Sequence, residues 1–190
     1  MSAVQRVVAA LLAIAKNAVP AGGVLMRDWA PADAMLLYLG ENIVLVLLGA
    51  LTVRILAPSS EAIEGHIKTR GESLQTFFLI AIPFTFGAAV FTVFVLAVRA
   101  EYVIRTQELL AGFALMLLVQ LIGFARDLRR LRGITLADSE HMLVRVLGRV
   151  FLLAFAVWAG LLAAFAISTA FVIPFIVLKT IADLGRIRTP

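Results

Sequence analysis

From Val150 to Leu178 the chain carries no charged residue, and backbone wrapped in that much apolar side chain has few stable homes in water. A membrane-spanning helix needs about 20 mostly apolar residues, so this run exceeds one untilted span. The same window slid along all 190 residues finds apolar segments at approximately 4–26, 32–56, 74–98, 107–125, 143–164 and 167–184. Alternating ten-residue strand patterns are missing, which excludes a transmembrane β-barrel. The expected fold class is all-α: a polytopic transmembrane helical bundle of six spans, one domain over residues 1–190.

Composition points the same way. A mean hydropathy of +1.02 with 15% charged residues lies far outside the range of soluble globular domains. The stretch Val4–Leu25 begins like a signal sequence, with Arg6 ahead of an apolar core. It is too long for one and lacks a small-residue cleavage site followed by polar sequence, so it reads as a retained first span.

The polar pair Ser168-Thr169 marks where the long uncharged run turns, as a tight hairpin at the outer surface. Charge supports that break. With six spans and a cytoplasmic N-terminus, thirteen basic residues fall on the inner side, among them Arg54, Lys68, Arg145 and Arg149, and only Arg27, Arg99 and Arg105 fall outside. Five spans would move Lys179, Arg186 and Arg188 outward, against the positive-inside bias. Both termini are therefore expected in the cytoplasm. Trp29 and Tyr102 fall in outer connections, where interfacial aromatic anchors belong.

Residues 57–73 mix charge signs and read as a solvated connection with one helical turn. Arg126, Arg129, Arg130 and Arg132 follow the fourth span directly, and such a cluster attracts anionic lipid headgroups at about 1 kcal/mol per basic residue; setting topology is its plainer role. The pI near 10.4 follows from these loops. No soluble domain exists to present a basic groove, so no nucleic-acid partner is expected.

Cysteine is absent, which excludes disulfides, thiolate nucleophiles and iron–sulfur ligation. The two histidines, His66 and His141, lie in polar connections between apolar segments, so an axial haem pair inside the membrane is not expected. No G-x-S-x-G, H-E-x-x-H or phosphate-loop motif occurs. No cofactor and no metal are expected.

Lys16, Asn17, Glu41 and Asn42 sit within apolar runs. A charged side chain at mid-bilayer costs roughly 2.5–3.5 kcal/mol on insertion scales, so such groups face a bundle interior and pair. Tyr38, Glu41, Asn42, Leu45 and Gly49 recur at spacings of three and four, on one helical stripe. On antiparallel neighbours Lys16 and Glu41 reach similar depths, and a pair between them would leave Asn17, Asn42 and the Tyr38 hydroxyl to supply the remaining hydrogen bonds. This cluster suits a substrate or ion site, and it equally suits a device that fixes helix register.

The run Pro20-Ala21-Gly22-Gly23 is expected to break the first helix, either exposing backbone to a cavity or ending the helix near the outer surface. Lys179 and Asp183, at i and i+4, share a face near the end of the last span as a secondary polar pair; snorkelling toward the interface explains them as well. Lysine shifts its proton affinity on burial where arginine does not, so the choice of lysine at positions 16 and 179 is compatible with proton-coupled work. Phe77, Phe84 and Phe91 form a packing stripe. Ala156, Gly160, Ala164 and Ser168 form a small-residue stripe suited to close helix contact in the bundle or to a homo-oligomer. Ile82-Pro83-Phe84 and Ile173-Pro174-Phe175 hint at an inverted repeat, with coincidence favoured.

Through Trp29, Tyr38-Leu39-Gly40-Glu41-Asn42 and Lys179-Thr180-Ile181-Ala182-Asp183, the chain resembles a family of small bacterial integral membrane proteins of unknown function, marked by Tyr-x-x-Glu-Asn in the second span and Lys-x-x-x-Asp in the last. The resemblance implies a multi-pass protein of the bacterial inner membrane and raises the standing of Tyr38, Glu41, Asn42, Lys179 and Asp183. Members often carry histidines in the third and fifth spans; this chain has none there. Three functional readings stand in order: small-solute or ion transport, proton coupling included, through the polar intramembrane site; a structural or assembly subunit of a membrane complex; and a membrane-embedded enzyme, for which no nucleophile or base stands out.

Overall fold

The computed structural model describes residues 3–27, 29–63, 66–98, 106–131, 133–166 and 172–188. Six helices carry them: α1 (Ala3–Met26), α2 (Pro31–Leu56), α3 (Arg70–Val98), α4 (Thr106–Arg130), α5 (Leu136–Ala166) and α6 (Val172–Arg188). A short hairpin, β1 (Ser60–Ile63) and β2 (His66–Thr69), separates α2 from α3. Helices α1 to α5 are long and apolar enough to cross a membrane. With 17 residues, α6 spans about 26 Å at 1.5 Å per residue. The turn expected at Ser168-Thr169, Tyr102 and Arg132 lie outside the described residues.

Polar caps set several helix starts. Pro31 opens α2, and the Asp33 carboxylate accepts the Ala30 N–H at 3.1 Å. At α3 the Thr69 hydroxyl accepts the Glu72 N–H at 3.2 Å while Glu72 accepts the Thr69 N–H at 2.9 Å, a reciprocal cap. Thr135 and Asp138 repeat the motif at α5. These caps start α3 and α5 ahead of their apolar segments, so His141 lies on α5, exposed at its polar beginning, rather than in a connection.

Helix α1 is not broken at Pro20-Ala21-Gly22-Gly23; it continues to Met26 with Pro20 inside it. Proline removes a backbone donor and crowds the carbonyl one turn back, yet α1 continues through it, and the glycine serves a neighbour instead. A Cβ at Gly23 would overlap the Trp29 indole, and the Gly23 carbonyl accepts the N–H groups of Arg27 and Trp29, each at 3.1 Å, where α1 ends. Trp29 is correspondingly buried against α1 and α4 rather than displayed at an interface.

The 57–73 connection holds the hairpin where a helical turn was expected. Its antiparallel register runs from Ser60 opposite Thr69 to Ile63 opposite His66. Ladder bonds pair its two strands, and side chains of the connection tie three helices together. Arg70 donates to the carbonyls of Arg54 and Ala57 at 2.9 and 3.1 Å, closing the end of α2. Lys68 pairs with Glu140 of α5 at 2.6 Å, and Glu61 accepts the Leu136 N–H.

Helix α2 is the central element: 67% of its most apolar window is buried, against 11% for α4. It packs on α1, α3, α4 and α5, while α6 packs on α1 and α5. One core cluster joins Met35, Tyr38 and Leu45 to Ala88, Leu153, Val157 and Ile176. A second joins Val53 to Phe77, Ala81, Leu136 and Val150. Of the phenylalanine stripe, Phe77 is buried and Phe84 meets Phe151 edge-to-face at 4.1 Å. Ala156 and Gly160 are buried within the chain itself.

Candidate functional site

Four charged side chains from three helices meet inside the bundle. Lys16 of α1 donates to Glu41 Oε1 of α2 at 2.6 Å, and its Nζ lies 3.2 Å from Asp183 Oδ2 of α6. Lys179, one turn before Asp183, donates to it at 2.8 Å and lies 3.0 Å from Glu41 Oε2. Each lysine faces both carboxylates, and each carboxylate faces both lysines. Two positive and two negative groups cancel formally. The pairs read separately along the chain are one network, because α6 packs on α1.

Burial makes the pairing obligatory. Glu41 is 1% exposed, Lys179 2% and Lys16 6%, and an uncompensated ion in such a place costs several kcal/mol. Pairing offsets that cost only when the remaining donors and acceptors are also engaged. Asn17 does much of this: its carbonyl accepts from Lys179 at 2.8 Å, and its amide donates to Asp183 at 3.1 Å and to the Ala13 carbonyl at 2.9 Å. Gln120 of α4 donates to Glu41 Oε1 at 3.2 Å.

Tyr38 and Asn42 take different places. The Lys179 ammonium lies 5.0 Å from the Tyr38 ring centroid, within cation–π range. The Tyr38 hydroxyl has no hydrogen-bond partner among the described residues. Asn42 is turned to α3, where its amide donates to Thr85 at 3.3 Å, since successive residues on a helix point about 100° apart. Glu41 therefore enters the network and Asn42 does not.

A cavity of about 280 Å³ leads to the network. Lys16, Gln120 and Asp183 line it together with Thr52, Arg149, Arg126 and Asp127, the last two with side chains 43% and 47% exposed. Its wall is a single face of each of several helices: Ala9, Leu12, Ala13 and Lys16 follow the three-and-four spacing along α1, and Leu45, Leu48, Gly49 and Thr52 do so along α2. Arg126 of the basic cluster thus lines the cavity, and Arg129 is exposed. At the opposite end of the bundle, the Trp29 indole N–H donates to Glu108 at 2.6 Å and its ring lies over Gly23 and Gly112.

A family model matches residues 1–189 of the chain. The chain belongs to DUF6498, a family of unknown function. No curated protein and no solved structure matches it. Membership in DUF6498 carries no chemistry with it, so the chemistry has to come from the site itself. Among the described residues, no group of three His, Cys, Asp or Glu is arranged to hold a metal ion. The network offers ion pairs that can change partners, a cation over an aromatic face, and amide hydrogen bonds.

Gln120, which bonds to Glu41, and Arg149, which lines the cavity beside the network, are missed by sequence reasoning. Gln120 interrupts the apolar run of α4, the same signal that marks Lys16 and Glu41. Arg149 reads from sequence only as one of the inner basic residues.

Proposed function

We propose that this DUF6498 protein is a small-solute or ion transporter of the bacterial inner membrane, working through the Lys16, Asn17, Glu41, Lys179 and Asp183 network. The topology that goes with this reading has six spans and both termini in the cytoplasm, placing the mouth of the cavity on the cytoplasmic side. The observation that carries it is the cavity whose wall includes Lys16, Asp183 and Gln120. A device that only fixed helix register would gain nothing from an opening beside its charges.

The geometry also supplies a cheap way to change state. Because each lysine already faces two carboxylates, a solute or proton that engages one carboxylate leaves the released lysine a second partner, and no bare charge is exposed to lipid. Glu41 is the pivot, since it links the α6 pair to Lys16 and to Gln120. Purified protein in liposomes loaded with a pH-sensitive dye should pass protons or a co-driven solute, and Glu41→Gln, assayed on the fraction that is folded and inserted, should abolish the flux. Flux unchanged in the variant would overturn the reading.

A structural or assembly role is the second reading. The formal neutrality of the network favours it, as does the Asn17 amide, whose donors and acceptor are all used inside the protein. It predicts no flux from wild-type liposomes and a loss of assembly when the charges are removed.

A further inference from the structure

Arg149 lines the cavity from α5 and is half-buried there. It makes no hydrogen bond or ion pair with any described residue, although it acts through space on Glu41 and Asp183. The other charges of the wall are spoken for. Arg126 and Asp127 lie 3.5 Å apart, and Lys16 and Asp183 belong to the network. Lys16, Arg126 and Arg149 against Asp127 and Asp183 leave the wall with one net positive charge, and Arg149 is the group that makes no direct ion pair with a described residue. An arginine inside an apolar helix is costly unless something neutralises it.

We propose that Arg149, with Lys16 and Gln120, forms a binding subsite for a small organic oxyanion, a carboxylate or a phosphate, inside this cavity. The proposal rests on the transport reading of the same site and names its substrate class. Guanidinium presents coplanar N–H groups that match the two oxygens of a carboxylate or phosphate, which an ammonium does not. Lys16 and Gln120 line the same cavity and are both bonded to Glu41, so an anion beside Arg149 engages their ammonium and amide by taking the place of that carboxylate. Leu48, Val146 and Phe124 provide apolar wall for a short hydrocarbon body. At about 30 Å³ per water the cavity holds the equivalent of roughly nine waters, enough for a compact anion. The oxyanion has two sources, a free solute or the phosphate of an anionic lipid whose headgroup enters beside Arg126.

The test uses the full chain in nanodiscs of phosphatidylcholine, titrated with sodium butyrate and with inorganic phosphate against sodium chloride at matched ionic strength. Thermal unfolding is the readout, because a ligand that binds only the folded state raises its midpoint saturably. At least one of the two oxyanions should give a saturable rise that chloride does not give. Arg149→Gln should weaken the apparent affinity at least tenfold, and Arg149→Lys should restore only part of it. Gly123 lines the cavity, and a Cβ there meets nothing within 4 Å, so Gly123→Phe should block binding while every charge stays in place, which keeps the test valid if the arginine variants fold poorly.

A second set of nanodiscs containing phosphatidylglycerol separates the sources. If the headgroup is the occupant, these discs alone stabilise the wild type, but not Arg149→Gln, and butyrate or phosphate then adds little. If a free anion is the ligand, the lipid makes no difference. The absence of any saturable rise with butyrate, phosphate or phosphatidylglycerol, or equal rises in wild type and Arg149→Gln, overturns the subsite. Binding without flux would leave the subsite standing and sink the transport reading; flux that depends on Glu41 without oxyanion binding would do the reverse.

Discussion

Lys179 Nζ lies 3.0 Å from Glu41 Oε2, although 138 positions separate the two residues in the chain. That contact joins the α1–α2 pair to the α6 pair and makes the charges of the bundle interior a single balanced set. The consequences of removing any one charge follow from the set rather than from a pair.

Single neutralisations should be severe and paired ones mild. Glu41→Gln leaves two lysines facing one carboxylate, and Lys16→Met leaves two carboxylates facing one lysine; breaking a buried pair in this way costs about 3–5 kcal/mol. The double change removes one charge of each sign and leaves Lys179 and Asp183 paired at 2.8 Å. Unfolding in detergent should therefore find the double variant more stable than either single one. Strictly additive losses would show that the groups do not interact.

The same chemistry at the rim should count for little. Lys68 and Glu140 also lie 2.6 Å apart, but their side chains are 41% and 30% exposed. Solvent-exposed pairs contribute about 0–1 kcal/mol, so Lys68→Met should shift stability by less than about 1 kcal/mol, and added salt should shrink the effect. A loss as large as that of Lys16→Met would mean that the hairpin, and not the charge network, holds the bundle together.

Neighbouring glycines in α1 should respond in opposite senses. At Gly22 a Cβ meets nothing within 4 Å, and alanine should be neutral or stabilising by up to about 1 kcal/mol, the usual helix preference over glycine. At Gly23 the added methyl would enter the space held by the Trp29 indole. Gly23→Ala should cost about 1–3 kcal/mol, as overpacking does, and Trp29→Ala should relieve part of that penalty. Equal effects at the two positions, measured by thermal unfolding, would contradict the packing of Trp29 on α1.

Much of this arrangement is legible in the chain because hydrophobic length alone places helices. The segments at 4–26 and 32–56 meet α1 and α2 within a residue at each end. The starts of α3 and α5 are less legible to hydropathy because those helices run on past the apolar run, capped by Thr69 with Glu72 and by Thr135 with Asp138. That capping pattern is present in the sequence, and a search for it would have found both starts. Lys16 beside Glu41 follows from matched depth on antiparallel neighbours, and Lys179 beside Asp183 from helical spacing.

Joining the two pairs requires knowing that α6 packs on α1, a long-range choice that no local pattern encodes. The Pro20-Gly23 run misleads for a related reason: local chemistry says that the helix can break there, while Trp29, arriving from beyond the end of α1, uses the missing side chain as packing space. Arg149 looks like any inner basic residue until the cavity beside it is known.

The six-span topology has a direct test of its own. Reporter fusions at the C-terminus should be active only as cytoplasmic reporters, because Arg186 and Arg188 in the last turn of α6 favour the inner side. A C-terminal reporter active on the outer side would remove the sixth crossing and turn the end of α6 outward.

If the transport reading holds, one face of the membrane reaches the buried charges through the cavity, and the chain is well suited to a test of this because it contains no cysteine. Single cysteines placed at Thr52, Gly123 and Ala13, all on the cavity wall, should react with a membrane-impermeant thiol reagent supplied from the cytoplasmic side. Cysteines at Phe77 and Ala88, buried in the two core clusters, should not. Labelling at position 13, one turn from Lys16, is the decisive measurement. If it is labelled from the cytoplasmic side and protected from the outer side, the network is open to one compartment as the account requires; if position 13 is as unreactive as position 88 from both sides, the charges are sealed in a dry helix contact and the transport account fails.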